Sequence, residues 1–197
     1  MKYLCLSTFI LVILLSGCKK GKEDPFFSFR SRENRLCGKW RVKEFEKTYY
    51  DGNDPYQWQA TTYKLKANQV SVTSNGVEIE KYAHIEDWII NEDGTYEINY
   101  LIQNVPTVET GNWSWNPKDK NKDFKNKECV YLTTRKYNYN NGEEFEEYTG
   151  FSNTPDKIIV LEKLSNKKIK YNIEYETYIK NSGYWMVKGF VIMERQD

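Results

Sequence analysis

The chain has 197 residues, with 29 Lys and Arg against 28 Asp and Glu and a single His. So even a balance offers no long-range field to draw nucleic acid, which is not expected as a partner, and one His leaves multi-histidine zinc sites without material. Sixteen Tyr and six Trp, little Ala and no cluster of good helix formers make an all-β composition.

Met1-Lys2 opens a leader whose apolar run, Leu4 to Leu15, spans 12 residues. That is short of the roughly 20 a membrane-crossing helix needs, and it has the layout of a signal peptide. The run ends in Leu15-Ser16-Gly17-Cys18, which resembles a bacterial lipobox. The resemblance implies removal of residues 1–17 and lipidation of Cys18. Each buried acyl CH₂ contributes about 0.8 kcal/mol, so two or three chains anchor stably to a membrane. No Asp follows Cys18, which by the same resemblance implies an outer-membrane lipoprotein on the periplasmic or surface-exposed face. Lys22-Glu23-Asp24 is similar to a short surface-export tag and reads equally as part of a solvated tether. Residues 18–33 are expected to be lipidated Cys and tether, with one helical turn around Ser31–Arg35, and 34–197 a single domain. Without residues 1–17 the chain keeps 28 basic and 28 acidic residues.

The domain reads as strands separated by turn signals. Gly38-x-Trp40 opens the first, and a polar loop is expected from Tyr50 to Pro55. Trp58–Leu65 and Val70–Thr73 follow, and Asn75-Gly76 is a hairpin signal into Val77–Tyr82. Ile85–Ile90 turns at Asp93-Gly94 and returns with Tyr96, Ile98, Tyr100 and Ile102 on one face. Thr110–Trp115 carries two Trp on one face. Beyond a Lys-rich loop, Val130–Tyr139 is expected to pair with Glu143–Phe151, then Lys157–Glu162, Lys168–Tyr178 and Tyr184–Glu194 close the chain. Short turns require antiparallel pairing. The fold class is all-β, an antiparallel meander closing into a barrel of about eight strands, which removes sheet edges; an open β-sandwich is the alternative.

Leu36-Cys37-Gly38-Lys39-Trp40, Asn91-Glu92-Asp93-Gly94-Thr95-Tyr96, Gly111-Asn112-Trp113-Ser114-Trp115 and Ile158–Lys168 together resemble lipocalin-like domain lipoproteins of the Bacteroidota type. The resemblance implies a lipocalin-like barrel, a structural role for Gly38 and Trp40, and Arg195 packed across the Trp40 indole. No C-terminal helix follows, so the outer wall needs other cover, or Gly189 marks a bulge that switches faces.

Catalytic signals are sparse. His84 stands alone, and no nucleophile-elbow motif occurs. Asp119-Lys120-Asn121-Lys122-Asp123 begins like a calcium loop, but Phe124 and Val130 replace the Gly and Glu such a loop needs. Glu143, Glu144, Glu146 and Glu147 offer carboxylates with no second acidic site to face them. No enzyme activity, metal or cofactor is expected. Cys37 and Cys129 are permitted a disulfide worth about 4–5 kcal/mol by loop closure, or are two buried thiols. Tyr96, Tyr100, Tyr131, Tyr171 and Tyr175 either pack a core or line a cavity for a small hydrophobic ligand. Tyr49, Tyr50, Tyr56, Trp58 and Tyr63 surround a polar loop, where exposed rings would stack on glycans. The expected function is a non-catalytic, lipid-anchored envelope protein that binds a small hydrophobic ligand. A surface glycan- or protein-binding module and a structural envelope lipoprotein are the alternatives.

Overall fold

Fifteen residues from Gly38 to Gly52 form the first strand, β1, and its length sets the architecture. The computed structural model describes residues 23–25, 28–52, 59–116, 128–139, 157–179 and 183–196. Cys18, Tyr56, Trp58, the 119–123 segment and the strand expected at Glu143–Phe151 lie outside them. A short helix α1 (Arg32–Leu36) precedes β1. After it come β2 (Gln59–Lys66), β3 (Gln69–Ser74), β4 (Val77–Ile90), β5 (Thr95–Ile102), β6 (Val105–Trp115), β7 (Cys129–Tyr139), β8 (Lys157–Leu164), β9 (Lys168–Ile179) and β10 (Gly183–Arg195).

All pairings among these strands are antiparallel. β1 pairs with β10 on one edge and β2 on the other, so the order β1-β10-β9-β8-β7-β6-β5-β4-β3-β2 closes on itself. The β2–β3 hairpin turns back through Ala67 and Asn68, both at positive φ, where β2 has reached Glu44 of β1. Below that level Gly38–Arg41 of β1 pairs directly with β4, Trp40 opposite Trp88.

The expected lipocalin-like barrel of about eight strands is corrected by this pairing. Ten strands share the sheet, and β2–β3 is inserted between β1 and β4 over only part of their length, so the wall is no uniform set of eight. The open sandwich is excluded as well, since each of the ten strands has a hydrogen-bonded neighbour on both edges. β1 continues through the expected loop to Gly52. Val77–Tyr82 and Ile85–Ile90 are one strand. The β5–β6 turn at Gln103-Asn104, both at positive φ, starts β6 five residues before the expected Thr110. Gly189 makes no bulge: β10 pairs through it, and the register shift lies in β1, between Val42 and Glu44.

The end of the sheet nearest Trp40 is capped. Ser31 caps α1 by accepting from the Asn34 N–H at 3.1 Å, and Arg35 donates to the Leu164 carbonyl at 2.6 Å. The Trp40 indole donates to the Leu36 carbonyl at 2.7 Å. Trp40, Leu36, Val42, Ile90, Leu164 and Met193 are buried there in one hydrophobic cluster. Arg195 lies over the Trp40 ring, 4.4 Å from its centroid, as the resemblance implied. Gly38 sits at φ 135°, and a Cβ there would land on the Arg195 guanidinium.

Glu23 and Asp24 do not run free as a tether but are bonded to β8, Asp24 buried and Glu23 exposed. The Glu23 N–H donates to the Glu162 carbonyl at 2.8 Å, and the Asp24 carboxylate accepts from the Leu164 N–H at 2.7 Å. Asp24 also pairs with buried Arg32, whose guanidinium lies over the Trp115 ring at 5.8 Å.

Trp40→Ala is expected to lower the unfolding free energy by about 3–5 kcal/mol, the range for emptying a fully buried large aromatic site. Urea denaturation checks this; a loss under about 1 kcal/mol would show that the cap does not depend on the indole.

Candidate functional site

Alternation along two strands carries charge inside. In β4, His84, Glu86, Trp88 and Ile90 are all buried while their neighbours are more exposed. In β6 the same holds for Thr107, Glu109, Gly111 and Trp113. A strand sends every second side chain to one face, so Glu86 and Glu109 join the face that carries the core Trp. Neither carboxylate was singled out in the sequence. The available signal was the period of two, counted back from Trp88 and from Trp113.

Glu109 is saturated. It accepts from Tyr96 at 2.9 Å, Tyr100 at 3.0 Å and Thr134 at 3.0 Å, and Lys157 Nζ reaches both its oxygens at 2.7 Å. Burial alone would raise its pKa, but the Lys157 charge and hydrogen bond, with the two tyrosine hydroxyls, outweigh burial and hold it below the ordinary value. A carboxylate has about four lone-pair sites, so nothing is left for a ligand. Gly111, opposite Tyr96, keeps the wall thin here: a Cβ would meet the Thr133 carbonyl and the Tyr96 ring.

Glu86 is surrounded differently. The Trp88 indole donates to one oxygen at 2.7 Å, and His84 Nε2 lies 3.2 Å from the other. Against the raising effect of full burial, the His84 hydrogen bond, the Lys47 charge and the Trp88 hydrogen bond hold its pKa down. With Glu86 ionised, His84 Nε2 is the donor, and His84 Nδ1 is buried with no hydrogen-bond partner. The imidazole meets the Phe45 ring edge-on at 5.6 Å, and Lys47 Nζ lies over that ring at 4.4 Å. Tyr49 and Tyr63 meet edge to face at 5.3 Å, and Tyr82 packs against the same core. Burial first, then neighbouring Tyr63, pushes the Tyr49 and Tyr82 hydroxyls up. Lys47, Tyr49, Tyr63, Tyr82, His84 and Glu86 thus come from β1 and β4, the strands that part where the β2–β3 hairpin enters, and from β2 of that hairpin.

The expected tyrosine set is only partly assembled. Tyr96 and Tyr100 converge on Glu109. Tyr171 is buried, its ring tilted against Trp88 at 6.4 Å; burial, then Glu86 and Glu109, raises its pKa well above the usual value. Tyr131 lies between buried Val130 and Leu132, half-buried in register with exposed Ser114 and Ile158, so it belongs to the opposite face. The side chain of Tyr175 lies outside the described residues. The expected hydrophobic-ligand cavity is corrected: Tyr96 and Tyr100 turn their hydroxyls to one buried carboxylate, Glu109, and Tyr131 lies on the other face. Tyr49 and Tyr63 are half-buried against each other, which is not an exposed stacking platform.

Cys37 and Cys129 are both buried, and neither forms a disulfide. Burial, then Glu33, Glu92 and Asp93, pushes the Cys37 thiol up to about 11. Among the described residues no three His, Cys, Asp or Glu gather to hold a metal ion, and no helix is long and apolar enough to cross a membrane.

No family model, curated protein or solved structure matches the chain. The likeness to lipocalin-like lipoproteins is corrected accordingly: no matched family supports it, and strand count, hairpin insertion and polar interior depart from what it implied.

Two expectations follow. Glu86 and Glu109 are both held below the ordinary carboxylate range when folded, so their contribution is whole above the unfolded range and is lost as pH falls through the folded values. Glu109→Gln should flatten the acid limb of a stability-versus-pH curve and lower neutral-pH stability by about 1–3 kcal/mol, the cost of a mismatched buried partner; an unchanged limb would remove Glu109 from the acid response. Native protein should resist iodoacetamide at Cys37 and Cys129, and urea should expose both; rapid native labelling would contradict their burial.

Proposed function

We propose that the chain is a non-catalytic, lipid-anchored envelope module that binds a hydroxyl-rich ligand, a glycan, at the His84–Glu86 layer. The observation that carries this is the buried His84 Nδ1 without a partner beside Glu86 and Lys47. A buried polar atom left unmatched costs free energy, and a ligand hydroxyl donating to Nδ1 would recover it. Glu86 has acceptor sites beyond those used by His84 and Trp88, Lys47 supplies a donor, and Tyr49 and Tyr63 supply ring faces and hydroxyls. Carboxylate, imidazole, ammonium and phenol groups together suit vicinal hydroxyls. They do not suit an apolar guest, which would strip these groups of solvent without replacing its hydrogen bonds. The anchor part of the reading rests on the leader and Leu15-Ser16-Gly17-Cys18.

Full-length protein from bacterial membranes, probed on a glycan array and then titrated calorimetrically with the strongest hit, tests the site. His84→Phe keeps the ring against Phe45 but has no nitrogen, and should weaken binding roughly tenfold, about one hydrogen bond. Glu86→Gln should weaken it too. An array without hits, or equal binding by His84→Phe with an unchanged urea midpoint, would reject the site.

A further inference from the structure

The α1-capped end carries a surface that the glycan reading does not use. Phe29 is fully exposed there. With Pro25, Arg30 and, from the β8–β9 turn, Ser165, Asn166 and Lys167, it lines a groove of about 580 Å³. The exposed Phe29 ring thus shares its groove with two basic side chains, Arg30 and Lys167.

The chain leading to this groove is short. Glu23 is fixed to β8 through the Glu162 carbonyl, so five residue steps separate it from Cys18, a reach of about 18 Å at full extension. Three of the four residues between them are Lys19, Lys20 and Lys22. The acidic residues nearby are engaged elsewhere. Glu23 pairs with Lys170 at 2.6 Å and Asp24 with Arg32. Glu33, Glu92 and Asp93 act on Cys37 and do not line the groove.

We propose that the Phe29–Arg30–Lys167 groove is a membrane-contact surface. The Phe29 ring enters the bilayer interface, where aromatic side chains are favoured. Arg30 and Lys167 meet anionic lipid headgroups, as basic clusters beside a membrane do. The placement rests on the Cys18 anchor of the proposed function. It sets the capped end against lipid and turns the His84–Glu86 layer away from it.

Full-length protein is reconstituted into vesicles of three parts phosphatidylcholine to one part phosphatidylglycerol, with bromine on the acyl chains. Single replacements Phe29→Trp and Ile79→Trp are compared with the unsubstituted protein. Ile79 is also exposed, but lies in β4 near the β3–β4 turn, away from the cap. The expected result is a blue-shifted, bromine-quenched signal from Phe29→Trp and none from Ile79→Trp. Quenching at 79 instead, or bound protein with no quenching at 29, overturns the surface. Intact mass separately reports whether Cys18 is acylated. A Cys18→Ser chain should bind the anionic vesicles weakly and lose that binding when Arg30→Glu and Lys167→Glu are added. An unacylated native mass with Phe29→Trp still quenched would reject the anchor and keep the surface; no binding of either form would reject the surface.

Discussion

One side chain latches the first and last strands of the closed sheet. Arg195, at the end of β10, donates to the carbonyls of Cys37 at 2.9 Å, Arg35 at 2.7 Å and Asn166 at 2.7 Å while covering the Trp40 ring. It ties the last strand to the first, to α1 and to the β8–β9 turn at once. Hydrogen bonds from a charged donor are worth about 1.5–3 kcal/mol each, and cation–π contact adds about 0.5–2. Gly38 is the condition for this, since any side chain there would occupy the guanidinium's place. Gly38 and Trp40, which open β1, are thus explained by Arg195 at the end of β10, where the β1–β10 pairing starts at Trp40 and Arg195.

Two buried carboxylates share one interior and serve different ends. Both stay ionised because partners offset the burial penalty. Glu109 spends every acceptor site on its own chain and so fastens β6 to β5, β7 and β8. A saturated buried network of this kind specifies register, because each member left unpaired would be expensive. Glu86 is held by neighbours on its own strand, with Lys47 acting from β1. It is therefore less a cross-link than a fixed charge, and His84 beside it keeps an unmatched nitrogen. Stability alone does not account for that nitrogen, and for that reason the binding reading is built on His84 rather than on the better-connected Glu109.

Much of the strand layout was legible because period and turn chemistry are local. Asn75-Gly76 and Asp93-Gly94 mark real turns, with Asn75, Gly76 and Gly94 at positive φ, and the alternation of Tyr96, Ile98 and Tyr100 reports a real inner face. What was missed is non-local. Ala67-Asn68 and Gln103-Asn104 turn without glycine, so they leave a weak signal. The insertion of β2–β3 depends on β1 being long enough to serve β10 on one edge and β2 and β4 on the other. No spacing within β1 announces that. His84 was visible but uninformative alone; its meaning comes from Glu86 two residues on and Lys47 across the sheet. Tyr131 failed as a cavity residue because strand phase cannot be carried across the Lys-rich stretch of sequence before β7.

The inserted hairpin links architecture to chemistry. At the Trp40 end β1 passes directly to β4, and the circuit is narrow enough for Leu36, Trp40 and Met193 to fill it. Past Glu44 two more strands enter, and Phe45, Leu65, Val70 and Val72 are buried there. Lys47, Tyr49, Tyr63, Tyr82, His84 and Glu86 stand at this level, where polar side chains join the apolar ones. The closed sheet thus differs along its axis: an apolar, latched end that fixes the fold, and a half in which polar side chains of β1, β2 and β4 meet inside the wall.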